Sequence, residues 1–456
     1  MMTKRNVGLV KNEFANNPDY SDCFLDKTLE LERQFSIRDE SEKYANLVNF
    51  SKNYSVPFYR WARYREGYSG ELVKELISMT HLHPSRHYIV DPMCGSGSTL
   101  VASAELGYDS LGLDVNPWPV DLSNAKMVNF SKHEVAILRR LSEELSKPIK
   151  VKTTDPYGAA KYYQYKNYSE LMALRQLFQK YKSEKLRSFL RVAWTCILED
   201  CSDRKKDGNG LATRPSKVNC VRTRFREQLA IMLDDIENRP YKSVTSKAIC
   251  DSITNLEYVV NRFSAKIGKQ PGVVIFSPPY ANSFNYFESY KIELLMGEYC
   301  SSRNDIYEMS KKAIRSFRLV SKDDSNGLLP LLDTLSNKIR AAIIRKESIT
   351  GKRDGRTRIM ADVVKYYFSD MRKGIAAISK ILDKGAKCYI VVDQSAYAGV
   401  IVPTDLLLAK IAESERMRVV KIIKCRKANT SGQQLKMFPY LKKYLRESIL
   451  VLEKKH

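Results

Sequence analysis

Histidine, tryptophan and cysteine are scarce in this chain: of 456 residues, 5 are His, 3 Trp and 9 Cys. The cysteines are scattered and form no Cys-x-x-Cys pair, which excludes a zinc ribbon and fits a reduced, cytoplasmic setting. His81, His83 and His87 cluster, but no cysteine or acid joins them at ligand spacing. They read as a surface turn around Pro84, and no metal is expected. No apolar run reaches transmembrane length, and Met1-Met2-Thr3-Lys4-Arg5-Asn6 lacks the apolar core of a signal peptide, so no membrane partner is expected. Acidic charge is also in short supply. Against 76 Lys+Arg stand 52 Asp+Glu, a formal net charge of +24. Such an excess favours a polyanionic partner, because each neutralised phosphate releases counterions. No basic amphipathic segment points to an acidic membrane instead.

What is present is enough apolar sequence, 43% of the chain, for a sizeable core and more than one domain. Two short stretches carry chemistry. The first is Ile89-Val90-Asp91-Pro92-Met93-Cys94-Gly95-Ser96-Gly97-Ser98-Thr99-Leu100. It reads as a strand, a glycine-rich turn and a helix start, where backbone can approach a ligand and the helix dipole is positive. Gly107 ends that helix. A second strand, Ser110-Leu111-Gly112-Leu113-Asp114, then closes on an acid, where α/β folds hold ribose hydroxyls. The turn after it begins at Val115.

The second stretch is Phe276-Ser277-Pro278-Pro279-Tyr280, after the apolar run Gly272-Val273-Val274-Ile275. Two prolines end strand pairing and make a rigid turn at a strand's carboxyl end. Read alone, this is equally a strand terminator. Read as a site, Ser277 supplies a hydroxyl, Pro278 and Pro279 supply carbonyl oxygens, and Tyr280 supplies a flat ring. That set suits a planar amino group on a nucleobase.

Together the two motifs resemble those of S-adenosylmethionine-dependent DNA amino-methyltransferases, and the Ser-Pro-Pro-Tyr form is similar to the cytosine-N4 branch. The resemblance implies an α/β fold with a seven-stranded Rossmann-like sheet, mostly parallel with a reversed last strand, plus helical insertions. It implies S-adenosyl-L-methionine as cofactor and double-stranded DNA as partner, beside a cognate restriction endonuclease, in a prokaryotic or phage cytoplasm. Tyr64, Tyr68 and Ser69 in the aromatic, basic segment before the first strand would lie near the cofactor. So would Asp91, Pro92, Cys94, Gly95, Gly97, Asp114 and Val115. Asp251 and Ser252, ending a third strand that starts at Ala248, would meet the adenine. Ser277, Pro278, Pro279 and Tyr280 would be catalytic.

Six segments are expected. Residues 1–57 form an N-terminal helical extension, with Leu25, Leu29, Leu31 and Phe35 on a helix packed outside the core. Residues 58–119 bind the cofactor. Residues 120–245 change to long charged helices, too long for a simple crossover, and read as an insertion suited to DNA recognition. Residues 246–299 are catalytic, 300–360 are a basic helical insertion, and 361–456 complete the sheet, with Val419–Ile423 and Ser448–Leu452 as a reversed pair. Two basic loops with glycines could follow a phosphate backbone or simply be solvated. One carries Arg204, Lys205 and Lys206; the other carries Lys352, Arg353, Arg356 and Arg358.

The mechanism implied is direct. Two acceptors on the amine hydrogens make a delocalised cytosine nitrogen nucleophilic, and in-line attack on the methyl follows. The base must leave the duplex, and Tyr280 would stack on it. A carbon-5 cytosine enzyme is excluded, because it uses a Pro-Cys nucleophile and the chain has no Pro-Cys. Adenine-N6 DNA methylation, RNA guanine-N2 methylation and an inactive nucleic-acid-binding protein on the same fold remain as alternatives.

Overall fold

The computed structural model describes residues 22–64, 67–145, 154–156, 158–207, 210–239, 244–281, 284–317, 330–353, 355–428 and 430–455. Eight strands form the main sheet: β1 (Ile37–Asp39), β2 (His87–Asp91), β3 (Ser110–Asp114), β4 (Ser246–Cys250), β5 (Gln270–Phe276), β6 (Lys387–Asp393), β7 (Met417–Lys427) and β8 (Arg446–Lys454). Their spatial order is β1-β7-β8-β6-β5-β2-β3-β4. Every neighbouring pair is parallel except those made by β8, which lies antiparallel to both β7 and β6. The expected mostly parallel α/β sheet with a reversed last strand is therefore present, with one strand more than expected.

The additional strand is β1, at the edge. Its three residues pair with Ile422, Ile423 and Lys424 of β7, and only Ile37 is half-buried. Three mostly exposed residues give no alternation to detect, which is why this segment reads as part of a helical extension. Ion pairs Asp39–Lys424 (2.8 Å) and Glu40–Lys421 (2.9 Å) fasten it, and charge on an edge strand discourages further pairing. The preceding helix, Leu25–Glu32, does not stay outside the core as expected: Phe24 and Leu31 are buried in the main cluster.

Alternate residues of the central strands enter opposite layers, as the pleat requires. Val90, Leu111, Val274, Phe276 and Ile390 face helices Leu256–Ile267, Met360–Ile381 and Thr404–Ser414. Ile89, Val273, Ile275 and Tyr389 face helix Gly70–Ser78. No helix among the described residues is long and apolar enough to cross a membrane.

Between β3 and β4 lies a helical region with its own core, built on helices Lys132–Glu144, Tyr165–Phe178, Glu184–Thr195 and Val221–Glu237. Segments distant in sequence join it, including Phe58, Trp61, Phe287 and Tyr290. Buried Asp235 explains the first attachment: it accepts from Phe58 N (2.7 Å) and Trp61 Nε1 (2.8 Å). Helix Pro117–Met127 runs across the boundary expected at 119.

Candidate active site at the switch point of the sheet

From β2 the chain winds one way, through β3 to β4; β5 then returns to the other side of β2. Winding reverses between β2 and β5, and in open parallel sheets such a reversal opens a crevice outside the carboxyl ends. The glycine turn leaves β2 there and the Ser-Pro-Pro-Tyr turn leaves β5. Both border one cleft.

The glycine turn is held from within. Asp91, buried at the end of β2, accepts from Met93 N (3.0 Å), Tyr68 OH (3.0 Å) and Thr99 Oγ1. Asp114, at the end of β3, accepts from Gly95 N (3.0 Å) and Asn116 N (2.9 Å). Ser123 Oγ donates to Gly95 O (2.8 Å) and Lys126 Nζ to Ser96 O (2.6 Å) from behind the turn. Gly95 and Gly97 have φ of +46° and +82°, a region that favours glycine.

Burial pushes the carboxyl of Asp91 up to about 7 and that of Asp114 up to about 6, although hydrogen bonds to their anions oppose the shift. Burial pulls the Lys126 ammonium down to about 7. The acidic and basic side chains lining the cleft among the described residues are those of Asp91, Asp114 and Asp251 against that of Lys312. In a strongly cationic protein, this acidic lining suits a cationic ligand.

The β5 turn is anchored from the carboxyl-terminal part of the chain. Ala281 O accepts from Ser395 Oγ and Tyr397 OH, both at 2.6 Å. Tyr280 OH donates to Glu447 Oε1 on β8 at 3.0 Å. Burial and the neighbouring carboxylates Glu447 and Asp393 push that phenol far above its ordinary range.

Of the residues expected at the site, Tyr64, Tyr68, Asp91, Pro92, Cys94, Gly95, Asp114, Val115, Asp251, Ser252, Ser277 and Pro279 line this cleft. Ser69 does not. Its hydroxyl donates to Leu47 O and accepts from Leu72 N, capping helix Gly70–Ser78. Gly97 shapes the turn without lining the cleft, Pro278 is buried, and the Tyr280 ring packs against the main core. Sequence reasoning missed Ile314 and Phe317, which line the cleft from a basic segment. Phe287, in the aromatic run after Tyr280 that the resemblance sets beside the base pocket, is a further wall of the cleft.

The basic loops fare differently. Lys206 is a correction: it is buried, with Nζ 3.1 Å from Glu199 Oε2 and bonded to Glu293 Oε1. It also sits 4.3 Å from the Tyr290 ring centroid, so it is turned away from any phosphate. Two carboxylates explain this: burial alone would lower the ammonium, but Glu293 and Glu199 outweigh it and hold the charge. Arg204 and Lys205 are half-buried on the same hairpin strand, donating to Asp203 O (3.0 Å) and Glu199 O (2.8 Å). Lys352 and Arg353 are exposed. Arg358 is exposed and paired with Glu347. The Arg356 side chain lies outside the described residues.

No family model matches the chain. Among solved structures, an rRNA methyltransferase, aviRa, from Streptomyces viridochromogenes aligns at 10% identity and a TM-score of 0.30, over 88% of this chain and 92% of its own. A superposition that loose carries no argument. The sequence comparisons are closer. Type II methyltransferase M.AvaI of Nostoc sp. is 26% identical over 98% of each chain, and the protein of the same name from Anabaena variabilis matches equally. Type II methyltransferase M.BsoBI of Geobacillus stearothermophilus is 25% identical over 96% of each. Along nearly its whole length, the chain is similar to type II methyltransferases.

Proposed function

We propose that this protein is a DNA methyltransferase of the type II restriction-modification kind, using S-adenosylmethionine to methylate the exocyclic N4 amine of cytosine. The observation that carries the reading is the shared cleft: adjacent parallel strands bring the glycine turn at 91–97 and Ser277–Pro279 to one crevice. The full-length similarity to type II methyltransferases supports the reaction and the DNA substrate.

The cleft suits the cofactor. Its acidic lining matches a sulfonium cation, and Asp114 stands where ribose hydroxyls would be met. Asp251 and Ser252 follow the neighbouring strand and would meet the adenine ring. When bound, the cofactor supplies an electrophilic methyl on positively charged sulfur. The protein's part is positioning. Ser277 Oγ and the Pro278 carbonyl would accept the two amine hydrogens, pulling the nitrogen lone pair out of conjugation. Holding amine and methyl in line supplies much of the rate. Ser277 favours cytosine, because the adenine-N6 branch more often places Asp or Asn at this position.

The test is nucleoside mass spectrometry of DNA from cells expressing the chain. N4-methylcytosine is expected. N6-methyladenine would move the activity to the adenine branch. Neither base, with methylated RNA or with no cofactor binding, would overturn DNA methylation altogether.

A further inference from the structure

We infer that the stretch 314–317, from the basic segment after the Ser-Pro-Pro-Tyr turn, completes the wall of the cleft around the cofactor's purine nucleoside, with Ser316 as a binding residue. The inference rests on the S-adenosylmethionine reading above and adds a residue that neither sequence motif contains.

The stretch is built on a clamp. Arg315 is buried, and its guanidinium meets the Asp370 carboxylate twice, Nε to Oδ2 at 2.9 Å and Nη2 to Oδ1 at 2.6 Å. A bidentate pair of this kind fixes orientation as well as distance. The Arg315 backbone N–H donates to the same Oδ2 at 3.0 Å, so the main chain is held along with the side chain. The guanidinium also lies 4.7 Å from the Tyr366 ring centroid. A γ-turn closed by Ser316 N to Ile314 O, at 2.8 Å, sets Ile314 and Ser316 on either side of the clamped residue.

Tyr366 and Asp370 stand four apart on helix Met360–Ile381 and so share a face. Gly374 continues that face. A Cβ there would meet Ile253 Cδ1 at 2.8 Å, so the missing side chain is what lets Ile253 seat against the helix. One helix face thus places Arg315 and Ile253 as neighbours. Ile253 follows Asp251 and Ser252, just beyond the end of β4. Ile253 and Ile314 are buried in the same core cluster, and both line the cleft, as Phe317 does. These apolar side chains suit a purine, which is apolar on its faces and polar along its edge.

Ser316 answers the edge. It lines the cleft and is only 1% exposed, and its hydroxyl has no hydrogen-bond partner among the described residues. Burying a hydroxyl without a partner costs free energy. In a wall whose other members are apolar, that cost is offset when a ligand brings the partner. A hydroxyl can donate to a purine ring nitrogen, accept from its amino group, or do either with a ribose hydroxyl.

The experiment is calorimetry of wild type and Ser316→Ala with two ligands, S-adenosylmethionine and methylthioadenosine, which keeps the nucleoside and lacks the amino-acid end. Both proteins are also unfolded in urea without ligand. Ser316→Ala should weaken both ligands about five- to tenfold, the scale of one hydrogen bond. Ligand-free stability should stay level or rise, because a buried, unpartnered hydroxyl has been removed. A hydroxyl with a structural role gives a fall in ligand-free stability instead, and that fall would overturn the inference. Weaker S-adenosylmethionine with unchanged methylthioadenosine would move the hydroxyl to the amino-acid end and overturn the nucleoside assignment, as would wild type that takes S-adenosylmethionine but not methylthioadenosine. Wild type that binds neither ligand would remove the cofactor reading itself. Wild type that binds both, with the same affinities in Ser316→Ala, would remove only the role of Ser316.

Discussion

Gly97 and Gly107 flank one helix, Ser98–Glu105, and both have left-handed backbones, with φ of +82° and +78°. Replacing either with Ala forces a Cβ into that region, at about 1–2 kcal/mol. Their surroundings differ. A Cβ on Gly107 would meet nothing within 4 Å, whereas one on Gly97 would lie 2.6 Å from Ser123 Oγ and 3.2 Å from Ser123 Cα. The hydroxyl can swing aside, but the backbone atom cannot. Moving the hydroxyl also breaks its bond to Gly95 O, worth about 1 kcal/mol, and crowding adds about 1–3 kcal/mol. Gly97→Ala should therefore cost about 2–4 kcal/mol more than Gly107→Ala in urea unfolding. Because Ser123 braces Gly95 inside the cleft, S-adenosylmethionine titration should show at least about a tenfold weaker Kd, each decade being about 1.4 kcal/mol. Gly107→Ala should bind as wild type. Equal costs at the two glycines would refute the claim that the turn needs glycine for close approach as well as for backbone angle.

Asp114→Ala should weaken cofactor binding in calorimetry while the fold persists; unchanged affinity would remove Asp114 from the cofactor site. Lys206→Met leaves Glu293 buried without its ammonium, so stability should fall by about 3–5 kcal/mol, while the salt dependence of DNA binding stays put; a shallower slope would return Lys206 to the DNA interface. Neutralising Arg353, Arg356 and Arg358 together should make log K against log salt shallower by about 0.9 for each phosphate these arginines neutralise, and an unchanged slope would make that loop a solvated face. Asp91, with a folded pKa raised to about 7, holds its proton when folded but loses it near about 4 when unfolded. The native state then binds more protons between those values, so stability falls as pH rises through that window. Asp91→Asn should flatten the fall seen in urea unfolding; the same slope in both would show that another group titrates there.

The sheet was legible because its central strands are long apolar runs bounded by glycine or proline. The reversed β8 was legible as the second of two closing apolar strands in an order that resembles a methyltransferase sheet, although their connection is long and basic. Edge strand β1 was not, since three residues, two of them exposed, carry no period. Both motifs could be read because each packs its chemistry into a few consecutive residues. Lys206 was misread for the opposite reason. Its sequence neighbours are basic and exposed-looking, and the carboxylate that buries it, Glu293, lies 87 residues away. Tyr280 was given a stacking role from its place in the motif, yet its hydroxyl belongs to Glu447, a partner that local sequence cannot name.

Positive charge in this chain therefore does two kinds of work, and composition counts them together. Some cations are exposed, as Lys352 and Arg353 are. Others are consumed inside. Lys206 leaves the hairpin strand Arg204–Asp207 and lies over Tyr290; Tyr290 stacks on Tyr64 at 5.4 Å with planes 10° apart. Tyr64 in turn lies against Gly95, where an added Cβ would meet its ring at 2.8 Å. A continuous packed path thus runs from the helical region between β3 and β4 to the glycine turn. Any displacement of the hairpin must be absorbed by this stack or passed to the cleft. Close packing transmits strain rather than dissipating it, so the helical region and the cleft are mechanically coupled even though separate stretches of sequence encode them.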